Sequence, residues 1–210
     1  SVAVMFIKSM KRSVTLSAFF LFLLFVFTGC NNRAPVPKFV EYGRIEIPIY
    51  NYSEYQFDRF LLFHSNLAKI QISSSGRSDS ELWFDISYPS YNAVIHCTYL
   101  PLKKDGLAKA LEDNHHLVYS HVSMADGIDQ QQYVSEDNNV SGILYQIHGD
   151  VATPIQFYVT DSIANFLRGS LYYESGTKRI NIDSVAPVTE MVRKDVEHLM
   201  ETLSWSHFIK

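Results

Sequence analysis

Ten consecutive apolar residues, Ala18 to Phe27, constrain this chain more than any other stretch. A membrane-spanning helix needs about 20 such residues, so the run is half as long as a span requires. No position in it offers the polar face that a helix packed on a soluble core would show. A cationic patch, Met10-Lys11-Arg12, precedes it, and Thr28 and Gly29 follow it. Cationic n-region, short apolar h-region and small residues at a cut site are the parts of a secretory signal peptide. Residues 1–29 are therefore expected to be a leader, with Met10 or Met5 as the translation start. The folded part is expected to begin after it.

The end of the leader is more specific. Phe27-Thr28-Gly29-Cys30 resembles the lipobox of bacterial lipoproteins, with Phe where Leu is usual. That resemblance implies a diacylglyceryl group on the Cys30 thiol and a further acyl chain on its freed amine. Two or more chains hold a protein on a membrane, where one does so only marginally. Asn31-Asn32 follow in place of the acidic residues that resemble a surface-export signal in some bacteria, which favours a periplasm-facing protein. Residues 30–40, with Pro35 and Pro37 and no periodicity, read as a lipidated tether. Residues 41–210 read as a single domain.

Loss of residues 1–29 removes Lys8, Lys11 and Arg12 and moves the formal net charge from −4 to −7. Such a chain does not bind nucleic acid or anionic lipid through bulk charge. With Cys30 lipidated, Cys97 is the remaining cysteine, and an intramolecular disulfide is excluded. Its setting in the strand-like HCTYL predicts a buried, inert thiol.

Hydrophobic periodicity organises the rest. YGRIEIPIYNY begins an extended segment, with Ile45 and Ile47 alternating against Arg44 and Glu46. FLLFHSNLAKIQI continues strand-like, and residues 73–80 form a polar loop. ELWFDISYP and NAVIHCTYLPL are two strands joined through Pro89-Ser90-Tyr91-Asn92. A helix follows, with Leu107, Leu111, Val118 and Val122 on one face and Asp105 as its N-cap. GILYQIHGD, IQFYVTD and ANFLRGSLYYES form an antiparallel meander turning at Gly149-Asp150 and Asp161-Ser162. Pro154 marks an edge, a bulge or the first residue of its strand. The last helix carries Val188, Met191, Val192, Val196, Leu199, Met200 and Leu203 as an apolar stripe, with Pro187 in its first turn and Asp183 or Ser184 as cap. The predicted fold is α+β: a mostly antiparallel sheet packed by two main helices. This element order resembles the PsbP and Mog1 type of sandwich.

Catalytic signatures are scarce. His115, His116 and His121 are not at the four-residue spacing that pairs metal ligands on one helix face, and no HExxH is present. G-x-S-x-G, Walker A, G-x-G-x-x-G and CxxC patterns are absent. No metal, no cofactor beyond the lipid and no enzyme activity are expected. Asp161 with Arg168 forms either an acid–cation pair between strands or, as readily, a structural bridge or turn cap. Phe157-Tyr158, Phe166 and Tyr172-Tyr173 either line a groove or pack across strands. Asp161, Phe166, Arg168 and Tyr172 are thus the candidate structural or interaction residues in the folded part.

Several blocks together resemble the gliding-motility lipoprotein GldD family: YGRIEIP, WFDISYPSYNAVIHCTYLPL, HHLVYSHVSMADGIDQQ, QFYVTDSIANFLRGSLYYES and DSVAPVTEMVRKDVEHLMETLSW. With the lipobox at Cys30 they cover most of the chain beyond the leader. The resemblance implies a cell-envelope lipoprotein needed for gliding and tied to type IX secretion, whose partners are other proteins of that apparatus. It implies no catalytic residue. A lipid-anchored interaction protein is the first expectation, a periplasmic ligand-binding module the alternative, and an envelope hydrolase with a convergent Ser or His and an acid the third.

Overall fold

The computed structural model of the chain describes residues 45–73, 81–120, 124–174 and 182–206. All of them lie in one compact unit, Tyr42–Lys210. The leader, Cys30, the tether, the polar loop from Ser74 on, His121 and Val122 lie outside the described residues.

Ile45 to Asn51 joins no sheet, although Ile45 and Ile47 pack on the core as the alternation predicts, and Tyr50, out of phase with them, packs there too. Ile49, next in the same series, is fully exposed. The first strand starts later, β1 at Tyr52–Gln56, and pairs antiparallel with β2, Phe60–Ser65. The strand-like stretch 60–72 breaks in two because Ser65 builds a turn. Its Oγ accepts from Leu67 N at 3.1 Å and its carbonyl from Ala68 N at 3.0 Å. The chain then enters a different sheet as β3, Lys69–Ser73.

That second sheet has seven strands in the order β3-β4-β5-β9-β8-β7-β6, every pair antiparallel. β4, Leu82–Tyr88, and β5, Ala93–Pro101, are the expected hairpin, joined by a 3-10 turn at Pro89–Tyr91 with Asn92 left-handed at φ 48°. β7 (Val140–Gly149), β8 (Ile155–Thr160) and β9 (Asn165–Tyr173) form the expected meander. Pro154 stands immediately before β8. The edge strand β6, Ala125–Ser135, was not anticipated. Its run Asp129-Gln130-Gln131-Gln132 has the polar composition of a loop, and an edge strand needs no buried face to hold its ladder.

Two-residue periodicity assigns each side chain to a face. Phe84, Ile86 and Tyr88 of β4, Ile95, Cys97 and Tyr99 of β5, Phe157 and Val159 of β8, and Leu167 and Leu171 of β9 form a buried inner face. The second helix, α2 (Ile182–Thr202), packs there with the small sheet β1-β2-β10, whose last strand is Ser204–Trp205. Every residue of its predicted stripe is buried. Pro187 lies one turn deeper in α2 than expected, because the helix begins at Ile182.

The first helix, α1 (Gly106–Tyr119), lies on the outer face, where Val118 packs with Tyr145 and Ile147. Its buried stripe is Ala110, Asn114 and Val118, turned about 40° from the expected Leu107–Leu111–Val118 line. Small residues face the sheet and let helix and strands approach. Asp105 occupies the N-cap position but makes no side-chain cap bond.

Candidate functional site

The outer face of the large sheet is polar where α1 does not cover it. Strand register aligns Asp85, His96, Ser170 and Gln156 in one row across β4, β5, β9 and β8. The neighbouring row on this face is Trp83, Thr98, Arg168 and Tyr158, and Tyr172 pairs with Val94 in a third. Trp83 keeps its buried indole N–H without a partner among the described residues. A groove of about 370 Å³ opens over these rows, lined by His96, Thr98, Gln156, Arg168, Ser170 and Tyr172, with Leu117 of α1 beside them.

The groove is ordered by side-chain bonds. His96 Nδ1 lies 2.7 Å from Asp85 Oδ1. The Tyr172 ring lies 5.3 Å from the His96 ring. Buried Gln156 donates its Nε2 to Thr153 Oγ1 at 2.9 Å. Acid, imidazole and hydroxyl in the order Asp85–His96–Ser170 reproduce the sequence of groups in a relay that activates a serine. Ser170 sits on β9 between two partner strands, whose ladders take up the backbone N–H groups that would stabilise an oxyanion. What the groove offers is a dense set of side-chain hydrogen-bond donors on rigid strands.

Of the residues singled out from sequence, Arg168 and Tyr172 fall in this groove. Phe166 is fully buried beside it, stacked on Tyr158 at 5.4 Å. Asp161 stands apart and resolves into the turn-cap alternative. Its Oδ1 accepts from the backbone N of Ile163, Ala164 and Asn165 at 2.8–2.9 Å, and its Oδ2 from Asn165 Nδ2 at 2.6 Å. Burial pushes this carboxyl up, but those bonds outweigh it and hold it below the ordinary carboxylate range.

A second polar cluster was not seen in the sequence. Asp195 of α2 is 3% exposed and accepts from Tyr52 Oη at 3.0 Å and Tyr88 Oη at 2.9 Å. The Tyr50 phenol also acts on this carboxyl, and His198 stacks on Tyr52 at 3.7 Å. Burial raises the Asp195 carboxyl above its ordinary range against the opposing pull of the three phenols. The signal was available: Asp195 shares the helix face of Met191, Val192, Val196 and Leu199, where an acid must find a buried partner. The Asp85–His96 pair was also legible, because a hairpin closing at Tyr88 and Ala93 sets 85 opposite 96.

His115 and His116 lie on the exposed side of α1, His115 stacked on Tyr119 at 4.3 Å. Among the described residues no three His, Cys, Asp or Glu side chains come together as metal ligands. Cys97 is buried, and burial pushes its thiol well up. No helix among the described residues is long and apolar enough to cross a membrane. A family described as gliding motility lipoprotein GldD matches residues 32–205, a span that takes in every strand and helix above. No curated protein matches the chain.

Proposed function

We propose that this chain, which belongs to the gliding motility lipoprotein GldD family, acts by binding rather than catalysis, assembling or stabilising the gliding and type IX secretion apparatus. Lipid on Cys30 holds it to a membrane of the cell envelope, facing the periplasm. Its partners are other envelope proteins of that apparatus, and it uses no cofactor beyond the acyl chains. The observation that carries this reading is the family match across the whole folded unit, 32–205.

The architecture supports it. Anchoring confines a binding domain near the membrane and raises its effective concentration for an envelope partner without new contacts. The first described segment is fastened to the core through Tyr50 and Tyr52, which meet Asp195 on α2.

The test is colony spreading by a strain lacking the gene, complemented with wild type or with Cys30→Ser at equal export. Wild type should restore spreading and Cys30→Ser should not. Pull-down from cross-linked envelopes should recover gliding or secretion components. Normal spreading of the deletion strain, or a pull-down without such components, would overturn the proposal. The alternative of a periplasmic ligand-binding module is favoured by the outer-face groove.

A further inference from the structure

We infer that β6, an outer edge of the seven-stranded sheet, docks an extended, Lys- or Arg-bearing segment of a partner protein as an eighth strand. The inference rests on the binding role proposed above and names the surface and the kind of segment that fits it.

The first observation is the edge itself. β6 ends the strand order β3-β4-β5-β9-β8-β7-β6, so among the described residues it pairs with β7 alone. After one irregularity between Ala125 and Gly127, Gly127 to Ser135 keep an unbroken antiparallel register against His148 to Val140. In such a ladder every second residue turns its N–H and C=O away from the partner strand, leaving a row of donors and acceptors along the open side. Sheets blunt an edge by keeping it short or by placing Lys or Pro on it. The opposite edge, β3, follows that rule with 5 residues beginning at Lys69. β6 is 11 residues long and has neither Lys nor Pro. A long edge without those guards suits strand addition.

The second is charge. β6, β7, β8 and the turns between them carry no Lys or Arg. Asp126, Asp129, Glu136 and Asp137 are exposed along β6 and the turn that follows it. Asp129 meets His148 at 2.8 Å, whereas Asp126, Glu136 and Asp137 hold no ion pair among the described residues. Tyr133 faces α2 on the inner side, where burial, then Glu197 and Glu201, push its phenol up. Arg193 acts on that phenol in the opposite sense and is itself held by Glu190 and Glu197. Among the groups these contacts place along β6, acids outnumber cations. A second copy of β6 would set those acids against their like, so the complementary strand is a basic one.

The third is side-chain alternation. Ile128 packs with the outer-face cluster under α1, and Val134, on the same side of β6 by two-residue alternation, is 65% exposed. Asp129 and Tyr133 stand on the other side with the α2 acids. An added strand lays alternate side chains beside each row. The segment that fits therefore alternates Lys or Arg, beside Asp129, Glu197 and Glu201, with Val, Ile or Thr, beside Ile128 and Val134.

The edge is tested by titrating the full-length lipoprotein, in uncharged detergent micelles at fixed ionic strength, with three capped peptides of about nine residues: alternating Lys and Val, alternating Lys and Pro at the same charge, and alternating Glu and Val. Proline keeps the charge and cannot donate to a ladder. The Lys–Val peptide should bind saturably, at least tenfold more tightly than either of the others. Once bound, it should raise amide protection along β6 at least tenfold and leave β3 unchanged. Asp126→Lys combined with Glu136→Lys should weaken it at least tenfold, with urea midpoints checked against wild type. Should that variant fail to fold, Asp137→Lys serves beside the protection pattern of the wild type. Equal binding of the Lys–Pro peptide, protection gained away from β6, or undiminished binding by the folded variant would overturn the assignment. Protection of β6 that rises with protein concentration alone would put a second copy there and overturn it too. Peptide binding is read without motility. A deletion strain that spreads normally would remove the gliding role and leave the edge standing, whereas full complementation without peptide binding would remove the edge and leave the role.

Discussion

Two buried aspartates are displaced in opposite directions, and each makes its own pH prediction. Asp161 is stabilised as a carboxylate by backbone N–H groups. A lowered folded value contributes stability above the unfolded value of about 3.9 that disappears as pH falls through the folded one. Asp161→Ala should cost about 1–3 kcal/mol at pH 7 by urea unfolding, with the gap to wild type closing below about pH 4. Asp195 has its folded value raised by burial, so the folded state binds its proton more tightly than the unfolded chain does. Stability from this residue therefore falls as pH rises from about 3.9 through the folded value. Asp195→Asn cannot titrate, and its stability relative to wild type should climb over that window and then level. A flat difference from pH 4 to 8 would show that Asp195 is not held protonated. The sequence made the turn role of Asp161 legible, since Asp161-Ser162 sits between two strands. It hid the depth of Asp195, because the acid's phenol partners come from β1, β4 and the segment before β1, 100 or more residues away.

At the scale of elements, the sheet tolerates substitution only where neighbouring strands leave room. A methyl added at Gly142 of β7 would lie 2.1 Å from the Tyr158 carbonyl oxygen on β8, a backbone atom unable to swing aside. Gly142→Ala should lose about 1–3 kcal/mol. Gly127 on the edge strand β6 meets nothing within 4 Å, and Gly127→Ala should stay within about 0.5 kcal/mol of wild type in the same denaturation series. The contrast mirrors what periodicity can reveal. Strands with one apolar face, such as β4, β5, β8 and β9, announce themselves because burial dictates alternate residues. β6 carries Gln130, Gln131 and Gln132 between the few residues it packs on the clusters, Ala125, Ile128 and Tyr133, so no regular apolar alternation marks it. α1 was recognised as a helix, yet its orientation was misjudged, since Ala110 and Asn114 give the close fit that larger leucines would prevent. The groove escaped notice for a related reason. Its members lie on β5, β8, β9 and α1, and only the strand order β5-β9-β8 sets the strand residues side by side.

For the whole molecule, the two sheets share one core. Phe60 and Leu62 of the small sheet, Phe84 and Leu171 of the large one, and the α2 stripe belong to the same buried cluster, completed by Trp205. Trp205 also fixes the β6–β7 connection by donating its indole N–H to Asn139 O at 3.2 Å. Both sheets and α2 should therefore open together. α1 rests on a smaller cluster of Val118, Tyr145 and Ile147, separate from that core. Few buried apolar groups secure it, so it should open on its own at lower free energy. Native-state hydrogen exchange distinguishes the two. Trp205→Ala should lower protection across β2, β5, β9 and α2 alike, by about 3–5 kcal/mol, while Val118→Ala should speed exchange within α1 and leave α2 unchanged. Equal losses in both helices from Val118→Ala would make the molecule a single cooperative unit. The distinction matters for the groove, because Leu117 belongs to the helix that opens first while Arg168 and Tyr172 belong to the sheet that opens last. A ligand touching both would stabilise α1 in its closed position, and raised protection of α1 amides on ligand binding, with those of β9 unchanged, is the signature to look for.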